Sequence, residues 1–362
     1  MTLLSKPELK TVLNNISNIR LTVIGDACLD IYWWADMQKS ELSRETPHHN
    51  LPVVKEALSP GAAGNVAVNA KAIGCSSVRL VSLIGEDWRS QAFIKELQNR
   101  QILTDSLIAS SDYLTPTYIK PLRSGYGGVV FEDPRIDFAP FTEASDLLQD
   151  QLIKAIGEAA QASDVICVSD QLAYGCITSR VREKICSLSA SGVPVFVDSR
   201  DRVELFHDVI VKPNALEGWH AIKHTHGVSF PEKPTINDYR EIAKHLSDKN
   251  NAPVCLTLGP DGCLWSDTGA DSRSQVYVPA FKEDTEIDIV GAGDAFIASA
   301  SAALAAKASV HQALQFASLV SNIIIHKLQT TGSASPEEIM NRYDQLSKEK
   351  QPYKRVLTDC DI

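Results

Sequence analysis

The stretch Asp288-Ile289-Val290-Gly291-Ala292-Gly293-Asp294 runs directly into Ala295-Phe296-Ile297-Ala298-Ser299-Ala300, a glycine-rich turn followed by small helix formers. Glycines just ahead of a helix let successive backbone N–H groups converge on one point. The helix N-terminus adds roughly half a positive charge there, so the turn suits an anion. Asp294 then has two available roles. It caps the helix, the commonest use of Asp before one, or it takes a proton from an attacking hydroxyl while the N–H groups of Gly291, Ala292 and Gly293 hold a transferring phosphoryl group.

Upstream of this turn, apolar runs alternate with helix-like stretches. Leu21–Ile24 ends at Gly25-Asp26 as a buried strand would, Gly61–Gly74 is helical after a small-residue start, and Val78–Ile84 is strand-like. The rhythm continues with a helix at Ser90–Arg100, a strand at Asp164–Val168, a helix at Ser179–Ser189 and strands at Val193–Val197 and Val209–Val211. A helix at Ile236–Leu246 and a strand at Val254–Leu258 follow. Such alternation predicts an α/β fold with a mostly parallel sheet and helices on both faces. Helices at Ala295–Lys307, His311–Lys327 and Pro336–Lys348 precede a polar tail at 351–362. Two segments break the pattern: Ile31–Leu58, with Trp33, Trp34 and a Pro/His/Asn-rich interior, and the hairpin-like pair Thr117–Arg123 and Gly127–Glu132. Together they predict a small β-lid at about 31–58 and 113–135, on one large domain covering 1–350.

Composition narrows the function classes. With 362 residues, 44% hydrophobic and 22% charged, the chain can bury a sizeable core and is not a disordered protein. Its net charge of −10 repels polyanions, which argues against nucleic acid or an anionic membrane as partner, so phosphate must be bound locally. The eight cysteines (Cys28, Cys75, Cys167, Cys176, Cys186, Cys255, Cys263, Cys360) form no C-x-x-C pair and lie mostly in apolar runs, as buried free thiols do. The N-terminal MTLLSKPELK lacks a signal-peptide core, and no run approaches the ~20 apolar residues of a membrane span, so a cytoplasmic location is expected. The nine histidines form no ligand cluster, and no structural zinc is expected.

Three further motifs bear on chemistry. Thr257-Leu258-Gly259-Pro260-Asp261-Gly262 follows a strand, where Gly259 and Gly262 would let a nucleotide phosphate approach the backbone; taken alone it reads first as an ordinary Pro-Asp-Gly turn between two strands. In Lys212-Pro213-Asn214-Ala215-Leu216-Glu217, Asn214 and Glu217 share a helical face and form either a capping box or a holder for Mg²⁺-bound water. Asp26, Asp30, Gly61, Gly64, Asn65 and Asn69 gather short polar groups suited to sugar hydroxyls, although Asp30 and Asn69 also fit turn or cap roles.

These segments, in this order and approximate spacing over about 20–335, resemble the ribokinase/pfkB-type carbohydrate kinases. The resemblance implies a ribokinase-like three-layer α/β/α sandwich and an ATP-dependent kinase that transfers a phosphoryl group to a hydroxyl of a sugar or sugar phosphate. By position it makes Asp294 the base and Gly291, Ala292 and Gly293 the oxyanion donors. It puts Asn214, Glu217, Thr257, Gly259 and Gly262 on the Mg·ATP side. Within the family, Val23–Asp30 with Tyr32 and Trp33, Leu51–Lys55, Ser169-Asp170, Lys327-Leu328 and Thr330-Thr331 are most similar to the kinase half of bacterial bifunctional heptose-phosphate kinase/adenylyltransferases. That likeness favours a heptose-phosphate-like acceptor.

The H-x-G-H signature of the second activity is missing, so a stand-alone kinase is expected. Nucleoside kinase, phosphofructose kinase and non-catalytic sensor remain the alternatives. Ile289 replaces a customary Thr, so a monovalent-cation (K⁺) site would rest on Asp288 and backbone carbonyls; Gly61-Ala62 replaces paired glycines; Tyr174 and Arg200 stand where heptose-type sequences have lysines. Family lids often pair between subunits, which implies a homodimer, with Trp33 and Trp34 suited to the interface or to the lid core.

Overall fold

The computed structural model describes residues 3–125, 127–226, 231–271, 274–283, 285–328, 332–349 and 352–354. In chain order, α1 (Lys6–Ile16) leads to β1 (Arg20–Gly25), β2 (Ala27–Asp36), β3 (Val53–Ala62), α2 (Ala63–Ala72) and β4 (Ser77–Gly85). Next come α3 (Trp88–Asn99), β5 (Leu103–Ser110), β6 (Thr117–Ser124), β7 (Val130–Glu132), β8 (Ile136–Phe138) and α4 (Asp146–Gln161). The middle of the chain forms β9 (Val165–Asp170), α5 (Ser179–Leu188), β10 (Val195–Ser199), β11 (Ile210–Val211), α6 (Ala215–His226) and α7 (Ile236–Asn250). The rest is β12 (Val254–Thr257), β13 (Cys263–Ser266), β14 (Val276–Val278), α8 (Ala292–Ala305), α9 (Val310–Ile324) and α10 (Pro336–Leu346).

Nine strands make the main sheet in the order β14-β13-β12-β11-β10-β9-β1-β4-β5. It is parallel from β12 to β5, while β13 and β14 are antiparallel additions at one edge. Period-2 geometry explains why the strands read as unbroken apolar runs: Val165 and Cys167 face one helical layer, Ile166 and Val168 the other. The first layer contains Leu9 of α1, Val66 of α2, Phe296 of α8 and Phe316 of α9; the second contains Ile156 of α4, Ile185 of α5 and Leu246 of α7. The architecture is therefore a three-layer α/β/α sandwich.

The second sheet, β3-β2-β6-β7 with β8 also on β6, is the lid. β2 leaves the main sheet only one residue after β1, and its antiparallel register with β3 extends from Ala27↔Ala62 to Ala35↔Val53. The lid thus begins closer to the main sheet than residue 31. The β6–β7 hairpin forms as the sequence implied, although Tyr126 at its turn lies outside the described residues. Trp33 and Trp34 are half-buried: Trp33 packs toward the main core, and Trp34 stacks on Tyr32 at 6.1 Å beneath Lys55.

Seven cysteines are buried free thiols, and Cys360 lies outside the described residues, as do Thr330 and Thr331. Of the tail, residues 352–354 are described, and Tyr353 bridges to Phe281 and stacks on it. Among the described residues no helix is long and apolar enough to cross a membrane, and no group of three or more His, Cys, Asp or Glu could alone hold a metal.

Candidate active site

From β1 the sheet grows one way through β4 and β5, and the other way through β9 to β14. Ligands of open α/β sheets bind at such a reversal, beyond the carboxyl ends of the strands. Asp26 follows β1, Asp170 ends β9, Asp198 lies at the end of β10, Lys212 follows β11 and Thr257 ends β12. The chemistry-bearing residues therefore share one edge.

The glycine turn opens α8 three residues earlier than the sequence implied. Gly291, at φ +79°, caps α8 without a side-chain bond, which removes Asp294 from the cap position and puts it in the first helical turn. The carboxylate instead accepts from Asn65 Nδ2 at 2.7 Å, reached across the contact between α2 and α8. Asn69, one turn further along α2, donates to Asn65 Oδ1 at 3.1 Å and so orients the Asn65 amide. Burial pushes the Asp294 carboxyl up to about 7, with Asp198 and Asp30 adding to the rise and the Asn65 bond and Lys212 opposing it. A carboxyl poised there is matched to general-base work near neutrality.

One expected oxyanion donor, Ala292, is engaged within the turn. The N–H of Ala292 donates to Ile289 O at 3.2 Å because the turn closes on itself. Gly293 and Asp294, as first-turn residues, have no acceptor one turn earlier in the helix, the arrangement that suits an anion. Ahead of the turn, Asp288 Oδ1 accepts from Val290 N at 3.0 Å and its N–H donates to Ile325 O at 2.8 Å. The Ile289 side chain is exposed and supplies no hydroxyl.

On the other side, Asn214 and Glu217 form the reciprocal capping geometry at 2.7 and 2.9 Å. One Glu217 oxygen takes the Asn214 N–H, which leaves the other for a metal-bound water. Mg²⁺ keeps several waters and uses one or two carboxylates with substrate phosphates, so this sparse donor set fits it. Thr257 is tied to Pro213 O through both N–H and hydroxyl, at 3.0 and 3.3 Å. Gly259, at φ +56°, faces open space, whereas a Cβ on Gly262 would sit 2.1 Å from Val278 O. Gly262 is therefore required by the packing of the β12–β13 turn against the end of β14, whereas Gly259 faces open space.

The acceptor-side residues separate into two tiers. Asp26 is buried, with Oδ2 accepting from Gln171 N (2.8 Å) and Leu172 N (2.7 Å) and Oδ1 from Cys176 N (2.8 Å). It holds the loop after β9 from beneath. Burial and the nearby Asp170 carboxylate push its own carboxyl up to about 6. Asp170 is bound by Arg202, which also donates to Leu172 O and Ala173 O of the same loop.

Asp30 lies in the lid, where a Cβ on Gly61 would come within 2.7 Å of its carboxylate; only glycine leaves it that room. Burial raises the Asp30 carboxyl against the pull of Lys120 and Arg135. Lys120 bonds Tyr32 Oη at 3.2 Å, and Arg135 lies 4.1 Å over the Tyr118 ring. These two cations and the buried Lys212–Asp198 pair beside the glycine turn escaped the sequence reading. No motif marks them, and only the pairing of β6 with β2, of β8 with β6 and of β10 with β11 brings them in.

A three-layer sandwich with a separate β-lid, a glycine turn opening α8 and a carboxylate in its first turn is an architecture that suits the carbohydrate-kinase class. The pfkB family carbohydrate kinase model matches residues 18–338, and the chain belongs to that family. It is 33% identical over 329 residues to the bifunctional protein HldE of Gluconobacter oxydans, covering 88% of this chain and 63% of that protein. To HldE of Magnetococcus marinus it is 29% identical over 311 residues, covering 85% and 61%. The chain thus spans less than two thirds of the length of these curated relatives. Its fold matches phosphofructokinase-2 of Escherichia coli in a tetrameric inhibited form (TM-score 0.70, 18% identity, 91% of this chain and 100% of that one). It also matches Arabidopsis thaliana ribokinase complexed with ribose and ATP (TM-score 0.67, 18% identity, 90% and 98%).

Proposed function

We propose that the chain is an ATP-dependent kinase that phosphorylates a hydroxyl of a sugar phosphate resembling a heptose phosphate. The observation that carries the kinase chemistry is Asp294 itself: it is not a cap, it is held by Asn65, and it lies beside a helix N-terminus free to bind an anion. Asp294 accepts the hydroxyl proton, the sugar oxygen attacks the γ-phosphorus in line, the bond to the β-phosphate oxygen breaks, and ADP leaves. Glu217 and Asn214 would hold Mg²⁺ through water, and the ion when bound offsets phosphate charge. A K⁺ site would involve Asp288. The lid excludes water, which limits ATP hydrolysis.

A phosphorylated acceptor is supported by the charge around Asp30. Lys120 and Arg135 lie near it in a protein of net charge −10. Arg200, standing for one heptose-type lysine, keeps positive charge near Tyr118 and Glu217, whereas Tyr174, half-exposed, replaces the other with none. The 33% identity to HldE points the same way. Two copies would pair through the lid, whose Val53, Val54, Val130, Phe131 and Ile136 are exposed.

ATP consumption against a panel of sugars, sugar phosphates and nucleosides tests this. Turnover should be greatest on a heptose phosphate. Preference for a nucleoside, for fructose 6-phosphate or for an unphosphorylated sugar overturns the acceptor, and binding without turnover makes the chain a sensor.

A further inference from the structure

Lys212 follows β11 and is 5% exposed. Its Nζ lies 3.0 Å from Asp198 Oδ2, at the end of the neighbouring strand. The backbone is fixed from both sides, Lys212 N donating to Val197 O at 2.7 Å and Thr257 N to Pro213 O at 3.0 Å. A buried ion pair of this kind contributes little net stability, because desolvation offsets the attraction. Its location is more telling than its energy. A Cβ on Gly293 would stand 3.9 Å from Lys212 Nζ, so the ammonium faces the first turn of α8 across a gap opened by glycine.

Asp198 accounts for one of the three ammonium protons. Burial works against the charge, but Asp198 and Glu217 outweigh it, and the ammonium stays protonated. Four groups face Asp294 from separate elements: Asp198 of β10, Lys212 after β11, Asp30 of β2 and Asn65 of α2.

We propose that Lys212 is a catalytic residue of the transfer: pinned by Asp198, its ammonium donates to an oxygen of the γ-phosphoryl group held at the Gly291–Gly293 turn. It carries the charge that builds there in the transition state and keeps its protons throughout, the hydroxyl proton going to Asp294. Asp198 is a positioning residue. The inference rests on the kinase reading of Asp294.

The test compares wild type, Lys212→Met, Asp198→Asn and the double variant for kcat, KM for ATP, pH profile and thermal stability. Lys212→Met should lower kcat about 10²–10³-fold, the loss typical of one transition-state donor, with KM for ATP within about threefold. The acid limb of kcat should move up in Lys212→Met and down in Asp198→Asn, opposite shifts that a shared structural role would not produce. The double variant, with no unpaired buried charge, should regain stability while staying slow. Recovery of kcat in the double variant, or wild-type kcat in Lys212→Met, overturns the inference and leaves the kinase reading intact. A wild type that transfers no phosphoryl group overturns both.

Discussion

Replacing Asp294 by Asn should make the protein more stable, by an amount that depends on pH. The carboxyl titrates at about 7 in the folded chain against 3.8 in the open chain, chiefly because burial penalises its charge. Between those values the folded state binds the extra proton, so this group lowers stability as pH rises through the window and leaves it low above about 7. At about 1.4 kcal/mol per pH unit, the full penalty reaches about 4 kcal/mol, less whatever the part-open site returns through solvent. The asparagine side chain would keep an oxygen for Asn65 and carry no charge.

Unfolding entropy near 2.1 cal/mol/K per residue over 362 residues makes 4 kcal/mol worth about 5 °C in Tm. Thermal unfolding of both proteins at pH 5, 6, 7 and 8 should show the advantage of Asp294→Asn growing from about 2 °C to about 5 °C, with a plateau above pH 8. A difference that stays constant across this range would refute the reasoning, since a charge that costs nothing to bury is not poised as a base.

Other outcomes follow from the same geometry. Asn65→Ala removes the bond that holds the Asp294 carboxyl down, so the acid limb of the kcat profile should move to higher pH. Asp26→Asn disrupts three buried backbone contacts and should cost about 2–3 kcal/mol, measured as a Tm loss, whereas Asp30→Asn should leave Tm near wild type and raise KM for the sugar. Ala62 joins β3 to α2 at φ +47° and ψ −124°, a conformation that L residues rarely adopt, so Ala62→Gly should stabilise by about 1 kcal/mol in the same assay.

Much of this organisation was legible in the chain because it depends on local rules. Doubly buried strands read as apolar runs, and the Gly291–Gly293 turn announces the start of α8 through backbone freedom alone. The 257–262 segment shows where local rules stop: its two glycines look alike in sequence, yet Gly259 opens to solvent and Gly262 is wedged against Val278. Asp26 and Asp30, four residues apart, likewise look equivalent. Only the chain's departure from the main sheet after β1 makes one a buried anchor and the other a lid carboxylate. Lys212 and Asp198 were invisible for the same reason, since their partnership depends on strand order.

The most direct test of the central claim is phosphoryl transfer from Mg·ATP by wild type and Asp294→Asn, followed as product formed on the preferred sugar phosphate from pH 5 to 9. Wild type should show an acid limb near pH 7, and Asp294→Asn should be slower by about 10²–10⁴-fold with that limb gone. Equal rates in the two proteins, or an unchanged limb in the variant, would contradict Asp294 as the base.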